Sequence, residues 1–237
     1  MEQRYTYEDF LDIIKTLRSE NGCPWDKEQT HESLRPCMME EAAEVVAAIR
    51  IYNQTNNAEN LREELGDVLL QVVMHAQIAK EEGLFTMEDV VNEVSQKMIR
   101  RHPHVFGNVQ AEDSAQVLKN WDEIKKKEKE GKSWIESPLK EIPRELPALT
   151  RAPKVLKKAD KHYGRNVSCE EAAETLCESA VQLKESAAKQ DKEQLKKELG
   201  NILMAVSDIA RLYKLPMEQI LTDRIEDIIE EYEGKKP

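Results

Sequence analysis

The sequence contains two related halves, and this internal repeat limits the fold more than any other feature. The segment ELGDVLLQVVMHAQIA at residues 64–79 resembles ELGNILMAVSDIARLY at 198–213, and TMEDVVNEV at 86–94 resembles PMEQILTDR at 216–224. A period of about 130 residues is too long for a solenoid repeat and fits a duplicated small domain. We therefore predict two tandem domains of similar design in this chain of 237 residues.

The composition favours helices in both halves. The chain has only 8 Gly, 9 Pro, 3 Phe, 3 Trp and 6 Tyr, whereas charged residues make up 34% and hydrophobic residues 40%. Sandwiches and barrels need frequent turns and β-branched or aromatic runs, which this composition does not supply. Because Glu, Lys, Ala and Leu are abundant, the predicted fold class is all-α, with two tandem helical-bundle domains.

The spacing of apolar residues predicts the individual helices. Pro36 suits the first turn of the second helix, and Thr86 is a candidate N-cap with Asp89 at the third helical position. Residues 21–30 and HPHVFGN at 102–108 are predicted loops. The predicted helices cover about 7–20, 36–52, 59–82, 86–102, 113–130, 144–160, 170–189, 192–213 and 216–233.

A charged segment separates the two halves. KKKEKEGKSWIESPLKEIP at 125–143 mixes charges with one Gly and two Pro, and we predict that it is a solvated linker. The predicted domains are therefore residues 1–124 and 144–237.

Charge and cysteine usage limit the partners and the compartment. The net charge of −11 opposes binding to a nucleic-acid backbone, whose phosphates would be repelled. No run approaches the roughly 20 apolar residues that a membrane span needs. The 4 Cys show no C-x-x-C spacing, so reduced thiols in a cytoplasmic protein are expected and zinc is not.

Acidic side chains on two consecutive helices form a candidate metal site. MEEAAEVV places Glu40, Glu41 and Glu44 together, and EELGD contains Glu64 and Asp67. Three helical residues advance by about 300°, so residues three apart project from nearly one face. If the two helices are antiparallel, the pair Glu41 and Glu44 meets the pair Glu64 and Asp67 at a similar height. Four carboxylates at one point suit Mg²⁺ or Mn²⁺. The alternative is a solvated acidic face without a metal.

The second copy retains the apolar frame but loses these carboxylates. Asp67 corresponds to Asn201. The positions that align with the first three glutamates are Cys177, Glu178 and Val181. Carboxylates that a duplicated fold can lose are not required for packing.

A basic cluster changes in the same way between the copies. Lys97, Arg100 and Arg101 lie near the end of the fourth predicted helix, whereas the second copy has Asp227, Glu230 and Glu231. Cations there could complement the helix dipole alone. Together with a metal ion, they could also neutralise a polyphosphate.

Four segments resemble the MazG family of nucleoside triphosphate pyrophosphohydrolases. They are GCPWDKEQTHESL at 22–34, EEAAE at 40–44, EELGD at 63–67 and KMIRRHPHVFG at 97–107. The family pattern E-E-x-x-E followed by E-x-x-D is met, and the tandem arrangement is also similar to MazG. The resemblance therefore covers nearly the whole chain.

The resemblance implies an all-α enzyme, usually a homodimer, that converts a nucleoside triphosphate into a nucleoside monophosphate and pyrophosphate in nucleotide-pool housecleaning. The implied cofactor is Mg²⁺, with Mn²⁺ as a substitute. The implied metal ligands are Glu41, Glu44, Glu64 and Asp67. The other implied site residues are Glu40 for the attacking water, Lys97, Arg100 and Arg101 for the phosphates, Trp121 for the base, and Trp25 and Lys27 at the pocket entrance. The alternative for Trp121 is a core or interface anchor, which is the more frequent role of a tryptophan.

Because the second copy lacks these groups, catalysis is expected in the first domain, and the second would stabilise the dimer or shape the pocket. Two other classes stay open. A di-iron carboxylate bundle needs two Glu-x-x-His motifs, and only Glu28–His31 fits that spacing. A non-catalytic helical interaction module would use the acidic helices as solvated faces.

Overall fold

The computed structural model of the chain describes residues 4–110, 113–129 and 136–234. Every regular element in those ranges is a helix, which confirms the predicted all-α class. The chain divides into two compact units, Met1–Lys129 and Glu130–Pro237. Within the same ranges, no helix is both long and apolar enough to cross a membrane.

The helices of the first unit follow the predicted segments closely. Thr86 caps α5 as predicted, since its hydroxyl accepts from the Asp89 amide and its own amide donates to the Asp89 carboxylate. The bounds are α1 Tyr7–Leu17, α2 Pro24–Glu28, α3 Arg35–Thr55, α4 Glu59–Glu81, α5 Met87–Arg101, α6 Pro103–Phe106 and α7 Ser114–Lys129.

Two predicted loops contain short helices. α2 lies inside 21–30 and α6 inside 102–108, and each begins with a proline at its first position. Proline fixes a helical φ there, but four or five residues are too few to reveal a helical period. In addition, α1 ends earlier than predicted because the chain turns back at Gly22. A Cβ on Gly22 would lie 2.2 Å from the Leu17 carbonyl oxygen, so only glycine fits.

The core of the first unit joins α1, the residue before α3 and the second half of α4. Because α4 starts at Glu59, the first half of this helix, with Glu64 and Asp67, extends beyond the core. The buried core residues are Ile14, Leu34, Val73, Met74 and Ile78, surrounded by Phe10, Leu11, Leu17, Cys37, Leu70 and Met87.

A buried arginine fixes the segment between α1 and α3. Arg18 is 8% exposed and donates to both carboxylate oxygens of Glu81, in the last turn of α4. Its Nη1 also donates to the backbone carbonyls of Asp26 and Gln29, at 2.5 and 3.1 Å. The segment containing α2 is therefore held beside the C-terminal end of α4.

The second unit is built around two closely packed helices. Its helices are α8 Ala148–Tyr163, α9 Cys169–Lys189, α10 Lys192–Leu212 and α11 Met217–Glu233. Three small buried residues, Ala172, Ser179 and Ser186, recur every seven positions along α9, and α10 packs against both α9 and α8. Small side chains on one stripe allow the helix axes to approach closely.

The predicted linker at 125–143 differs from the structure at both ends. α7 continues to Lys129. At the other end, Ile142 is only 5% exposed, and Lys158 pairs with Glu141 and donates to the Pro138 carbonyl at 2.9 Å. Residues 138–142 therefore pack within the second unit. The buried Ile142 and the ion pair between Lys158 and Glu141 fix them there. Residues 130–135 lie outside the described part of the chain.

Candidate active site

A tight turn makes α3 and α4 a helical hairpin. Asn56 adopts the left-handed conformation with φ of 57°, and its amide donates to the Tyr52 carbonyl at 2.8 Å. Asparagine is one of the few residues that accept this conformation at a helix end. The Asn57 side chain then accepts from the Glu59 amide at 2.8 Å, at the start of α4. The hairpin brings the start of α4 beside α3.

Three of the predicted ligands converge across this hairpin. Glu41 on α3 and Glu64 and Asp67 on α4 each offer a carboxylate oxygen, and these oxygens all lie within 4.8 Å of one another. All three residues are partly buried. Carboxylate oxygens alone are the ligands that Mg²⁺ and Mn²⁺ prefer, so the residues present fit such an ion.

The fourth predicted ligand lies at the edge of this cluster. Glu44 is exposed, and its pKa is raised. The largest cause is partial desolvation, and the next is repulsion from Glu64. A hydrogen bond with Glu41 and the charges of Glu41 and Glu40 act in the same direction. Glu44 is therefore a neighbour of the three converging carboxylates. Glu40 is exposed one position before Glu41.

The basic cluster lies at the corresponding end of α5. α5 packs against α4, and a short connection joins them. Lys97, Arg100 and Arg101 lie at the end of α5 away from this connection. Glu64 and Asp67 likewise lie in the half of α4 away from it.

Glu128, which no sequence pattern linked to the basic cluster, bonds to both of its arginines. Arg100 Nε donates to one oxygen of Glu128 at 2.8 Å, and Arg101 Nη2 donates to the other at 2.6 Å. The Arg100 side chain stays 52% exposed, whereas those of Arg101 and Glu128 are 16% and 14% exposed. Hydrogen bonds from Arg101 and then Arg100 lower the pKa of Glu128 from 4.5 to about 2.

The stability of this cluster should depend on pH. Glu128→Gln should destabilise the first unit by about 1–2 kcal/mol at pH 7, because it weakens charge-assisted hydrogen bonds. The folded carboxyl has the lower pKa, so the wild-type advantage exists above pH 4.5 and is lost as the pH falls towards about 2. Urea unfolding of both proteins across this range measures the difference. A difference that does not change with pH would contradict this assignment.

Trp121 packs against the same cluster. Its ring meets His102 edge-on at a centroid distance of 4.8 Å, and the Arg101 guanidinium lies 5.4 Å from its centroid. A cation over an indole face is a favourable contact. Trp121 is therefore partly engaged in packing, and it lies next to the basic cluster.

The structure does not bring Trp25 and Lys27 to the carboxylates of the same unit. Both are exposed on α2, and α2 is tied through Arg18 to Glu81. At 1.5 Å per residue, Glu81 lies about 25 Å along α4 from Glu64. The spacing of the motif could not reveal this separation, because it depends on where the buried Arg18 anchors the segment.

At the corresponding place in the second unit, a buried glutamate is hydrogen-bonded to amides. Glu198, which aligns with Glu64, is 5% exposed. One of its oxygens accepts from Gln194 at 2.6 Å and the other from Asn201 at 3.1 Å. Amide donors thus satisfy both oxygens of the carboxylate without a cation.

Comparison with known proteins agrees with this geometry. Residues 29–106 match the family model described as the MazG nucleotide pyrophosphohydrolase domain. The chain is also 38% identical, over 226 residues, to the nucleoside triphosphate pyrophosphohydrolase/pyrophosphatase MazG of Thermotoga maritima. That alignment covers 95% of this chain and 84% of the relative. The chain belongs to the MazG family.

Other relatives support this family assignment. The nucleoside triphosphate pyrophosphohydrolase of Escherichia coli K12 is 41% identical over 216 residues, covering 85% of this chain and 76% of that protein. The uncharacterised protein YabN of Bacillus subtilis is 44% identical over 219 residues, covering 92% of this chain but only 44% of YabN. The predicted MazG family and the predicted class of enzyme are confirmed. The family model lies within the first unit and contains the predicted metal ligands and the basic cluster Lys97, Arg100 and Arg101. Lys27, Trp121 and Glu128 lie outside the matched range.

Proposed function

We propose that the first unit hydrolyses nucleoside triphosphates to nucleoside monophosphates and pyrophosphate with the help of Mg²⁺ or Mn²⁺. The observation that carries this proposal is the convergence of Glu41, Glu64 and Asp67 within 4.8 Å across the α3–α4 hairpin. These residues would hold the ion, with Glu44 completing the ligand set. A bound ion of this kind neutralises triphosphate charge and makes a coordinated water more nucleophilic.

The other residues act on the substrate and on the water. Glu40 orients or deprotonates the attacking water beside Glu41. Lys97 and the exposed edge of Arg100 bind the phosphates, and they stabilise the charge that develops on the departing pyrophosphate. Arg101, which is more buried, completes this positive cluster. Trp121 stacks on the base next to the cluster.

The bond that is cleaved can be identified with labelled water. Hydrolysis in H₂¹⁸O should place the label in the monophosphate, because the water attacks the α-phosphorus and pyrophosphate leaves. Mass spectrometry of both products measures this. Label in pyrophosphate instead would contradict the proposed reaction.

A screen of pyrophosphate release across standard and damaged triphosphates then identifies the preferred base and sugar for the proposed housecleaning role.

We also propose that the chain works as a homodimer. Apolar side chains near the carboxylates stay exposed on α3 and α4, among them Val46 at 60% and Leu65 at 52%. A second copy could cover these side chains and bring its own Trp25 and Lys27 to the site. Size-exclusion chromatography with light scattering tests this assembly. The cytoplasmic location and the functional boundaries of the two domains stay predictions.

A further inference from the structure

Glu64 receives a hydrogen bond from its own helix. Asn60 lies one turn earlier on α4, and its Nδ2 donates to Glu64 Oε1 at 2.7 Å. Both residues are partly buried. The bond occupies one oxygen of the carboxylate, so the other can face Glu41 and Asp67.

The second unit makes the same bond with a different amide. Gln194 occupies the position that corresponds to Asn60, and its Nε2 donates to Glu198 Oε1 at 2.6 Å. The two units differ at the remaining oxygen of the glutamate, which in the second unit accepts from Asn201. The first unit has Asp67 at that position, and an ionised carboxylate, unlike an amide, only accepts hydrogen bonds.

Two neighbouring groups act on this glutamate in different ways. The amide one turn earlier fixes the side-chain rotamer in both units. The group three residues later decides whether the free oxygen is satisfied by an amide or is left for a cation. A glutamate that is held in place loses less conformational entropy when it binds an ion, and hydrogen-bonded partners of metal ligands typically contribute 10–100-fold to affinity.

We propose that Asn60 is a positioning residue that presents Glu64 to the metal ion. This inference rests on the proposed function, because it needs a metal at the Glu41–Glu64–Asp67 cluster. Asn60 acts through the carboxylate and does not touch substrate. A purely structural pair at this helical spacing would add only about 0.2–0.5 kcal/mol to helix stability and would not affect metal affinity.

The test measures Mn²⁺ binding by the full chain without nucleotide, by electron paramagnetic resonance or calorimetry. Asn60→Ala should weaken Mn²⁺ binding by about 10–100-fold, with the helical content unchanged by circular dichroism. Asn60→Gln should restore binding to within about threefold of the wild type, because Gln194 makes the same bond in the second unit. The Mn²⁺ concentration that half-saturates hydrolysis should shift in parallel, while kcat at saturating Mn²⁺ changes little.

Gln194→Ala is the matched control, since it removes the corresponding bond from the unit without the carboxylate cluster. It should leave Mn²⁺ affinity unchanged. Wild-type affinity in Asn60→Ala, or no recovery in Asn60→Gln, would overturn the role of Asn60 while leaving the proposed function intact. Failure of the wild type itself to bind Mn²⁺ would instead overturn the proposed metal site, and the role of Asn60 with it.

Discussion

Replacing Asp67 with Asn should reduce kcat/KM for triphosphate hydrolysis by about 10³-fold, which corresponds to about 4 kcal/mol. The change preserves the shape of the side chain but removes a negative charge from the cluster of three carboxylates. It also aims an amide at Glu64, as Asn201 does at Glu198 in the second unit. Pyrophosphate release with saturating Mg²⁺ measures the loss.

The metal-free Asp67→Asn protein should be more stable than the wild type by about 1 kcal/mol. Repulsion between Asp67 and Glu64 is removed, and a hydrogen bond can replace it. Lower activity together with higher thermal stability would show that Asp67 has a chemical role and that the variant is not inactive because it unfolds. Active-site residues commonly reduce stability in this way.

Glu198→Gln is the control for the assignment of catalysis to the first unit. It alters the corresponding glutamate, which is buried and bonded to two amides. Activity should stay near the wild-type level. Activity that survives Asp67→Asn but is lost in Glu198→Gln would move catalysis to the second unit.

Local patterns predicted much of the fold because helices are local structures. The 3.6-residue period located all the long helices, and the Thr86–Asp89 spacing gave the correct N-cap. The Glu41, Glu64 and Asp67 cluster was also predictable. Helical spacing fixes which residues share a face, and one short connection between two helices fixes the height at which they meet.

Contacts between distant segments were not predictable in this way. Glu128 lies 27 residues from Arg101 in sequence, beyond a loop, so no period links them. The position of α2 depends on Arg18 reaching Glu81, 63 residues away. Basic and acidic residues are abundant in this chain, and composition cannot choose among so many pairs.

Among the described residues, the second unit keeps a pair of closely packed helices but has no group of three converging carboxylates. Its helices α9 and α10 still pack closely, and Glu198 is retained. The change of one carboxylate to Asn201 supplies a donor to that buried group. Buried charges are tolerated only when hydrogen bonds or opposite charges compensate them. The amide therefore stabilises the second unit in the place where the first unit would use a cation.

Asn201→Asp should accordingly destabilise the second unit by about 2 kcal/mol at pH 7. Glu198, at 5% exposure, loses a donor at 3.1 Å and gains a like charge three residues away on the same helix. Hydrogen exchange measures the effect locally, which matters because two units need not unfold together. Protection of α10 should fall about 30-fold, while α4 stays unchanged as the internal reference.

A second variant distinguishes charge repulsion from simple loss of a hydrogen bond. Asn201→Ala removes the donor without adding a charge, so its deficit at pH 7 should be smaller than that of Asn201→Asp. Equal deficits in the two variants at pH 7 would mean that the lost donor alone matters. The absence of a negative charge at Asn201 would then contribute nothing to the stability of the second unit. The proposed electrostatic difference between Asp67 and Asn201 would be wrong.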